Sequence, residues 1–203
     1  MATLPIQRSI IAVDIEASTR RNNVERARLR EDMYTLFEKA LASSGITEEL
    51  RDGFMDRGDG AMVLVHPDDR IPKPLLINRF IPTLRDELAA HEPERQFRLR
   101  VALHAGDVHF DCRGQFGEDL DITFRLLAAP ELKAQLANST EPLALIVSDH
   151  IYRSAVWHGY EGIDASAFQR LVSVRVGGHT HRGWVQVGPE VGNAPVTRID
   201  RVS

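Results

Sequence analysis

The chain has 203 residues, 43% of them hydrophobic, a formal net charge of −4 and one cysteine. That length and apolar content suit one folded domain with a substantial core and exclude wholesale disorder. The acidic balance argues against a nucleic-acid binder, Cys112 alone excludes an internal disulfide or a cysteine-built zinc site, and no leader or spanning-length apolar run is present, so the expectation is a cytoplasmic protein without a membrane partner.

In chain order, residues 8–14 read as a buried strand whose apolar run Ile10–Val13 ends abruptly on Asp14. Ser18 and Thr19 follow as a helix opening, and residues 22–43 read as a long helix with Met33, Phe37, Ala40 and Leu41 on one face. Residues 50–65 read as a hairpin: a strand over 50–56, a Gly-Asp-Gly turn at 58–60 and an apolar strand over 61–65. A second helix spans 75–91, with Leu76, Phe80, Leu84 and Leu88 at spacings of four. "FRLRVALHAGDVHF" alternates as a long strand, "DCRGQFGEDLD" reads as a loop, and a helix opens near Asp119. A buried strand in "PLALIV", a helix capped by Ser148, and strands in "FQRLVSVRV" and "GWVQV" complete the core. The expected layout is one domain over 1–188 with a loose tail over 189–203. The order strand, helix, strand, strand, helix, strand predicts a ferredoxin-like (βαββαβ) α+β core, helices on one face of the sheet, with a C-terminal helix and hairpin extension.

In that topology Asp14 ends one strand and Asp59 sits on the hairpin tip beside it, so the two carboxylates converge. Like charges at close range need a cation or a proton between them, and magnesium, which prefers oxygen ligands and shares substrate phosphates, suits such a pair. The glycines flanking Asp59 leave room for a polyphosphate, and the helix opening at "EAST" offers amides to an anion. Glu16 has no role derivable here beyond favouring the helix dipole. The histidines His104, His109, His179 and His181 have no acidic or cysteine partner at ligand spacing and read as exposed or capping groups. Trp157 and Trp184 read as core or interface anchors.

From Ile10 to Val187 these features resemble the class III nucleotidyl cyclase catalytic domain. "DIEAST" is similar to the family's first metal motif through Asp14, Ile15 and Thr19, and "RGDGAMVLV" to its second through Asp59. "LRVALHAGDV" and "FGEDLDITFR" are similar to two further family motifs, in the correct order. The resemblance implies metal ligation by Asp14, the Ile15 position and Asp59. It also implies nucleotide contacts from Ala17, Ser18, Thr19, Met55, Arg57 and Gly114, and transition-state roles for Arg125 and Asp121. It further implies Mg2+ or Mn2+ as cofactor, a nucleoside triphosphate as substrate, and a homodimer with sites shared between subunits. The departures are informative: Met55 and Gly114 stand where adenine-reading lysine and aspartate are usual, and Asp121 replaces an asparagine. The usual phosphate-binding lysine is unmatched near Gly177 and Gly178, with Arg175, His179 and Arg182 nearest. The short form without adenine readers looks like the stand-alone bacterial pyrimidine cyclases of anti-phage defence, which make cyclic UMP or cyclic CMP for a downstream cyclic-nucleotide-binding effector. A catalytically silent, nucleotide-binding or dimerising cyclase-like module is the alternative. A haloacid-dehalogenase-type phosphatase is set aside, because the short stretch between the two aspartates has no room for its parallel, doubly wound sheet.

Overall fold

A computed structural model describes residues 4–187. The elements run β1 (Ile6–Ile15), α1 (Asn23–Ser43), β2 (Met55–Asp56), β3 (Gly60–Val65), α2 (Lys73–Leu75) and, after a π turn at Leu76–Phe80, α3 (Ile81–Ala90). They continue with β4 (Leu99–Asp111), β5 (Gly114–Phe116), α4 (Glu118–Leu127), α5 (Pro130–Ala137) and β6 (Leu143–Ser148). The chain then enters α6 (Asp149–Ile151), a second π turn at Tyr152–Val156, β7 (Phe168–Val176) and β8 (His179–Gln186). The sheet order is β2-β3-β1-β4-β6-β8-β7, with β5 paired to β4 as a short hairpin. β1 lies antiparallel between β3 and β4, and β4 runs parallel to β6 across the α4–α5 crossover. This is the expected α+β core with its helix and hairpin extension.

Side chains alternate across a strand, so each face of the sheet collects its own core. Ile11, Val13, Ile15, Val63, Val101 and Leu103 meet Met33, Phe37, Leu41, Phe80 and Leu84 of α1 and the α2–α3 helix. Ile10, Ala12, Met62, Leu64, Ala102 and Ile146 meet Leu120, Leu126, Leu132 and Leu136 of α4 and α5. The helices therefore cover both faces, not one. β3 and β6 are buried at every position, and a sheet without polar alternation needs cover on both sides.

Other departures are local. The strand expected over 50–56 is reduced to Met55–Asp56, with a 3-10 turn at Glu48–Leu50. Asp52 draws in Arg8 and His66, which breaks the strand, although Asp52 N still donates to Leu64 O and His66 N to Leu50 O. The helix does not open at "EAST". Ser18–Arg20 form a separate 3-10 turn after Ala17, which is left-handed at φ 52°, while α1 starts on an Asn22 capping box with Glu25. Trp184 stacks on Tyr152 at 3.5 Å and donates to Asp149, but Trp157 is 67% exposed and anchors no core. The tail expected over 189–203 lies outside the described residues, and among those described no helix is long and apolar enough to cross a membrane.

Candidate active site

The apolar run of β1 pins its last turn in the sheet, and this fixes Asp14 opposite Gly60 at the start of β3. Ile15 N donates to Asp59 O at 3.0 Å, which closes the turn onto the strand. A Cβ on Gly60 would sit 2.2 Å from Val13 O, so the close approach of the Gly-Asp-Gly turn requires glycine there. Asp14 and Asp59 are thus brought together at one edge of the α4-facing surface.

Their environments differ. Asp59 accepts a short hydrogen bond from the Ser18 hydroxyl, which the turn after Ala17 aims inward. Asp14 Oδ2 accepts from Arg100 Nη2 at 2.6 Å, while Asp14 Oδ1 is buried without a hydrogen-bond partner. Burial pushes the Asp14 carboxyl above the usual carboxylate range; Arg100 opposes this and the charge of Asp59 adds to it. Arg100 Nε is likewise buried and unpartnered. Lys133 of α5 lies close enough to stabilise the Asp14 charge.

An unsatisfied buried carboxylate oxygen beside a second carboxylate fits a divalent cation. Among the described residues no group of three or more His, Cys, Asp or Glu side chains forms a metal cage. The fit is therefore to an ion that keeps waters and completes its shell with substrate oxygens, as Mg2+ does. The Ile15 side chain is core, so only its backbone carbonyl is available to such an ion.

Glu16 serves the scaffold. Arg98 grips it with two nitrogens, at 2.8 and 2.9 Å, and donates to Leu136 O and Ser139 O, which ties the end of β1 to the end of α5. The remaining expected residues lie elsewhere. Met55 is half-buried against the α4 side, and the Arg57 guanidinium lies over the Phe124 ring at 4.3 Å. Thr19 is exposed, and Gly114 begins β5 at φ 135° with open space where a Cβ would be. Asp121 and Arg125 lie one turn apart on α4, whose Leu120, Ile122, Leu126 and Leu127 are buried. Both are exposed, and neither is joined to Asp14 or Asp59 within the described residues. Arg175 and His179 are exposed near the Gly177–Gly178 turn, and Arg182 lines a separate cavity with His104 and His150.

Sequence reasoning missed Arg100, Lys133 and the Glu16–Arg98 pair. Strand parity carries the signal for the first: Arg100, Ala102 and His104 share a face, opposite Asp14, Ala12 and Ile10. His104 is not the exposed or capping group expected. It is 5% exposed and meets Asp119 and Ser148 at 2.7 Å each, because parity turns it under α4.

This sheet order, with a paired-carboxylate edge and a helix crossing the same face, is the fold of the class III nucleotidyl cyclase catalytic domain. No family model and no curated protein matches the chain. Solved structures do. An adenylate/guanylate cyclase/hydrolase from Silicibacter pomeroyi is 19% identical with a TM-score of 0.62, covering 91% of this chain and 98% of its own. The catalytic core of a rhodopsin-guanylyl cyclase with converted specificity, in complex with ATPαS, is 14% identical with a TM-score of 0.61, covering 94% and 99%. The adenylyl cyclase CyaB from P. aeruginosa is 12% identical with a TM-score of 0.60, covering 96% and 100%. At such identities the likeness is one of fold.

Proposed function

We propose that the chain is a nucleotidyl cyclase that converts a nucleoside triphosphate, UTP or CTP, to the 3′,5′-cyclic monophosphate and pyrophosphate. The observation that carries this reading is the orphaned Asp14 Oδ1 beside Asp59, on the fold shared with the cyclases above. Asp14, Asp59 and the Ile15 carbonyl would hold Mg2+ or Mn2+. Such an ion supplies charge neutralisation for the triphosphate and acidifies the attacking ribose hydroxyl. The chain's own groups do the rest. Amides of the Ala17–Thr19 turn face the phosphates in place of a helix N-terminus, and Ser18 holds the Asp59 carboxylate in position. Arg100 and Lys133 supply positive charge at the same edge.

Arg125 neutralises charge building between the α-phosphate and the leaving pyrophosphate. Because it is exposed and unconnected to its own Asp14, it acts on the site of a second copy, which makes a homodimer the working unit. Asp121 puts a carboxylate, an acceptor, where the family has a donating amide, so it binds ribose hydroxyls, not phosphate. Met55 and Gly114 offer no polar side-chain group to adenine, and Arg57, held over Phe124 on the α4 side that Met55 also packs against, supplies a donor for a base carbonyl. The lack of an adenine-reading pair supports a pyrimidine over adenine, and the resemblance to the stand-alone pyrimidine cyclases supports an anti-phage second messenger read by a cyclic-nucleotide-binding effector.

The Arg100–Asp14 ion pair favours one other reading, a silent module in which the guanidinium takes the place of the metal. A panel of the four nucleoside triphosphates with Mn2+, products resolved by mass, separates the two. Cyclic UMP or cyclic CMP in excess over cyclic AMP is expected. No cyclic product from any nucleotide leaves the silent module standing.

A further inference from the structure

At the other end of the α4-facing surface, His104 stands opposite Ile10, four residues along the strands from the Asp14–Arg100 pair, or about 13 Å. Its Nε2 meets Asp119 Oδ1 and its Nδ1 meets Ser148 Oγ, both at 2.7 Å. Asp119 Oδ2 accepts from Asp107 N at 2.7 Å, so one carboxylate bridges two points of β4. Gly106 makes the fit possible: a Cβ there would lie 2.1 Å from the Asp119 carboxyl carbon. The serine–histidine–aspartate order invites a hydrolytic reading, which fails. Ser148 is 3% exposed and its hydroxyl caps the next helix by accepting from Ile151 N at 3.3 Å.

The cluster instead answers a need of α4. That helix has ten residues, too few to hold itself in water, and its N-cap is Gly117, which has no side chain to cap it. Apolar contacts through Leu120, Leu126 and Leu127 press it to the sheet but tolerate rotation and sliding. Two directional hydrogen bonds to Asp119 in its first turn do not. Arg125 follows six residues later, about 9 Å along the axis, so any slip at Asp119 is passed to its guanidinium.

We propose that His104 and Asp119 are positioning residues that clamp the start of α4 to β4 and thereby aim Arg125 at the reacting phosphates and Asp121 at the ribose. The proposal rests on the cyclase reading above. The charged and titratable groups facing His104 are Asp119 from α4 and His150 from α6, with ring centroids 6.5 Å apart for the two histidines. Asp149, His181 and Arg182 line the same cavity of about 290 Å3. Asp149 is occupied by Trp184, His181 faces Glu118, and Lys73 lies near His150.

The test uses the full chain and four proteins: wild type, His104→Ala, His104→Gln and Gly106→Ala. For each, kcat and KM are measured with the nucleotide the wild type turns over, and hydrogen exchange is followed at α4 and α1 amides. His104→Ala and Gly106→Ala should lower kcat about 10- to 100-fold, the cost of an ångström-scale misplacement, with KM changed less than about threefold. Exchange should quicken in α4 but not α1. His104→Gln keeps a donor toward Asp119, so it should recover most of kcat. Unchanged kcat in both alanine variants, with an active wild type, overturns the clamp, as does unchanged α4 exchange in either. A wild type that yields no cyclic product overturns the cyclase reading instead, and the exchange data then report only whether α4 is held. Should His104→Ala unfold, seen as fast exchange in α1 as well, Gly106→Ala and His104→Gln decide.

Discussion

β1 and β4 carry a polar cluster at each end of the same face. Around Asp14 the valences are left open: Asp14 Oδ1 and Arg100 Nε are buried and unpartnered, and burial holds the carboxyl above its ordinary range. Around Asp119 they are closed: both carboxylate oxygens and both ring nitrogens of His104 have partners. Burial raises Asp119 too, but His104 and the Asp107 amide outweigh it and hold the carboxyl below the usual range. Two aspartates at the same sheet surface thus have opposite electrostatic fates. A protein that satisfies a buried acid internally is using it to fix geometry, and one that leaves a buried acid unsatisfied has reserved it for something from outside.

That contrast breaks first on Asp59→Ala. If the open end is a metal site, this variant loses cyclic product to background and loses Mn2+ uptake in calorimetry with triphosphate present, while its melting temperature stays near wild type because Asp59 is only lightly tied, to Ser18. Full activity in Asp59→Ala refutes the site. Arg125→Ala is next, with kcat lowered by about 10³ and an unaltered fold, since the side chain is exposed. Mixing Asp59→Ala with Arg125→Ala sharpens the point. If sites are shared between subunits, equal mixing restores roughly a quarter of wild-type activity, because half the dimers carry one intact site. If each site is built within one chain, mixing restores nothing. A smaller effect is expected at the proposed base pocket: Met55→Lys should shift turnover toward ATP, by about tenfold relative to UTP or CTP, measured by competition, whereas Gly114 at φ 135° accepts no side chain without strain.

How much of this is legible in the sequence follows the range of the interaction. The approach of Asp14 to Asp59 is legible because the signal is local: an apolar run stopped by an acid, and glycines around a turn acid. The α+β order was legible for the same reason. Asp14–Arg100, Glu16–Arg98 and His104–Asp119 were not, because each depends on strand register or on a helix packed across the sheet, which no local pattern carries. Cover on both faces was written in the continuous apolar runs of β3 and β6, yet the βαββαβ order drew attention to one layer. The start of α1 was misjudged because Ser18 and Thr19 look like caps, whereas Ser18 is spent on Asp59 and Asn22 does the capping.

The finest test of the two ends is their pH dependence, where the signs oppose. For Asp119 the folded pKa lies below the unfolded value of about 3.9, so the unfolded chain takes up the proton first as pH falls. Its contribution is fully present above that value and is lost as pH drops through the folded pKa, giving stability that rises with pH in this window. For Asp14 the folded pKa lies above about 3.9, so just above that value the folded state keeps a proton the unfolded chain has released. Stability there falls as pH rises. Urea unfolding of wild type, Asp119→Asn and Asp14→Asn between pH 3 and pH 7 reads both. The gap between wild type and Asp119→Asn should narrow below pH 4. The gap between wild type and Asp14→Asn should move the other way, wild type losing ground as pH climbs from about 4 until Asp14 is fully ionised. Parallel pH slopes for the two variants would mean that the acids are satisfied alike, and the distinction between an open end and a closed end would go with them.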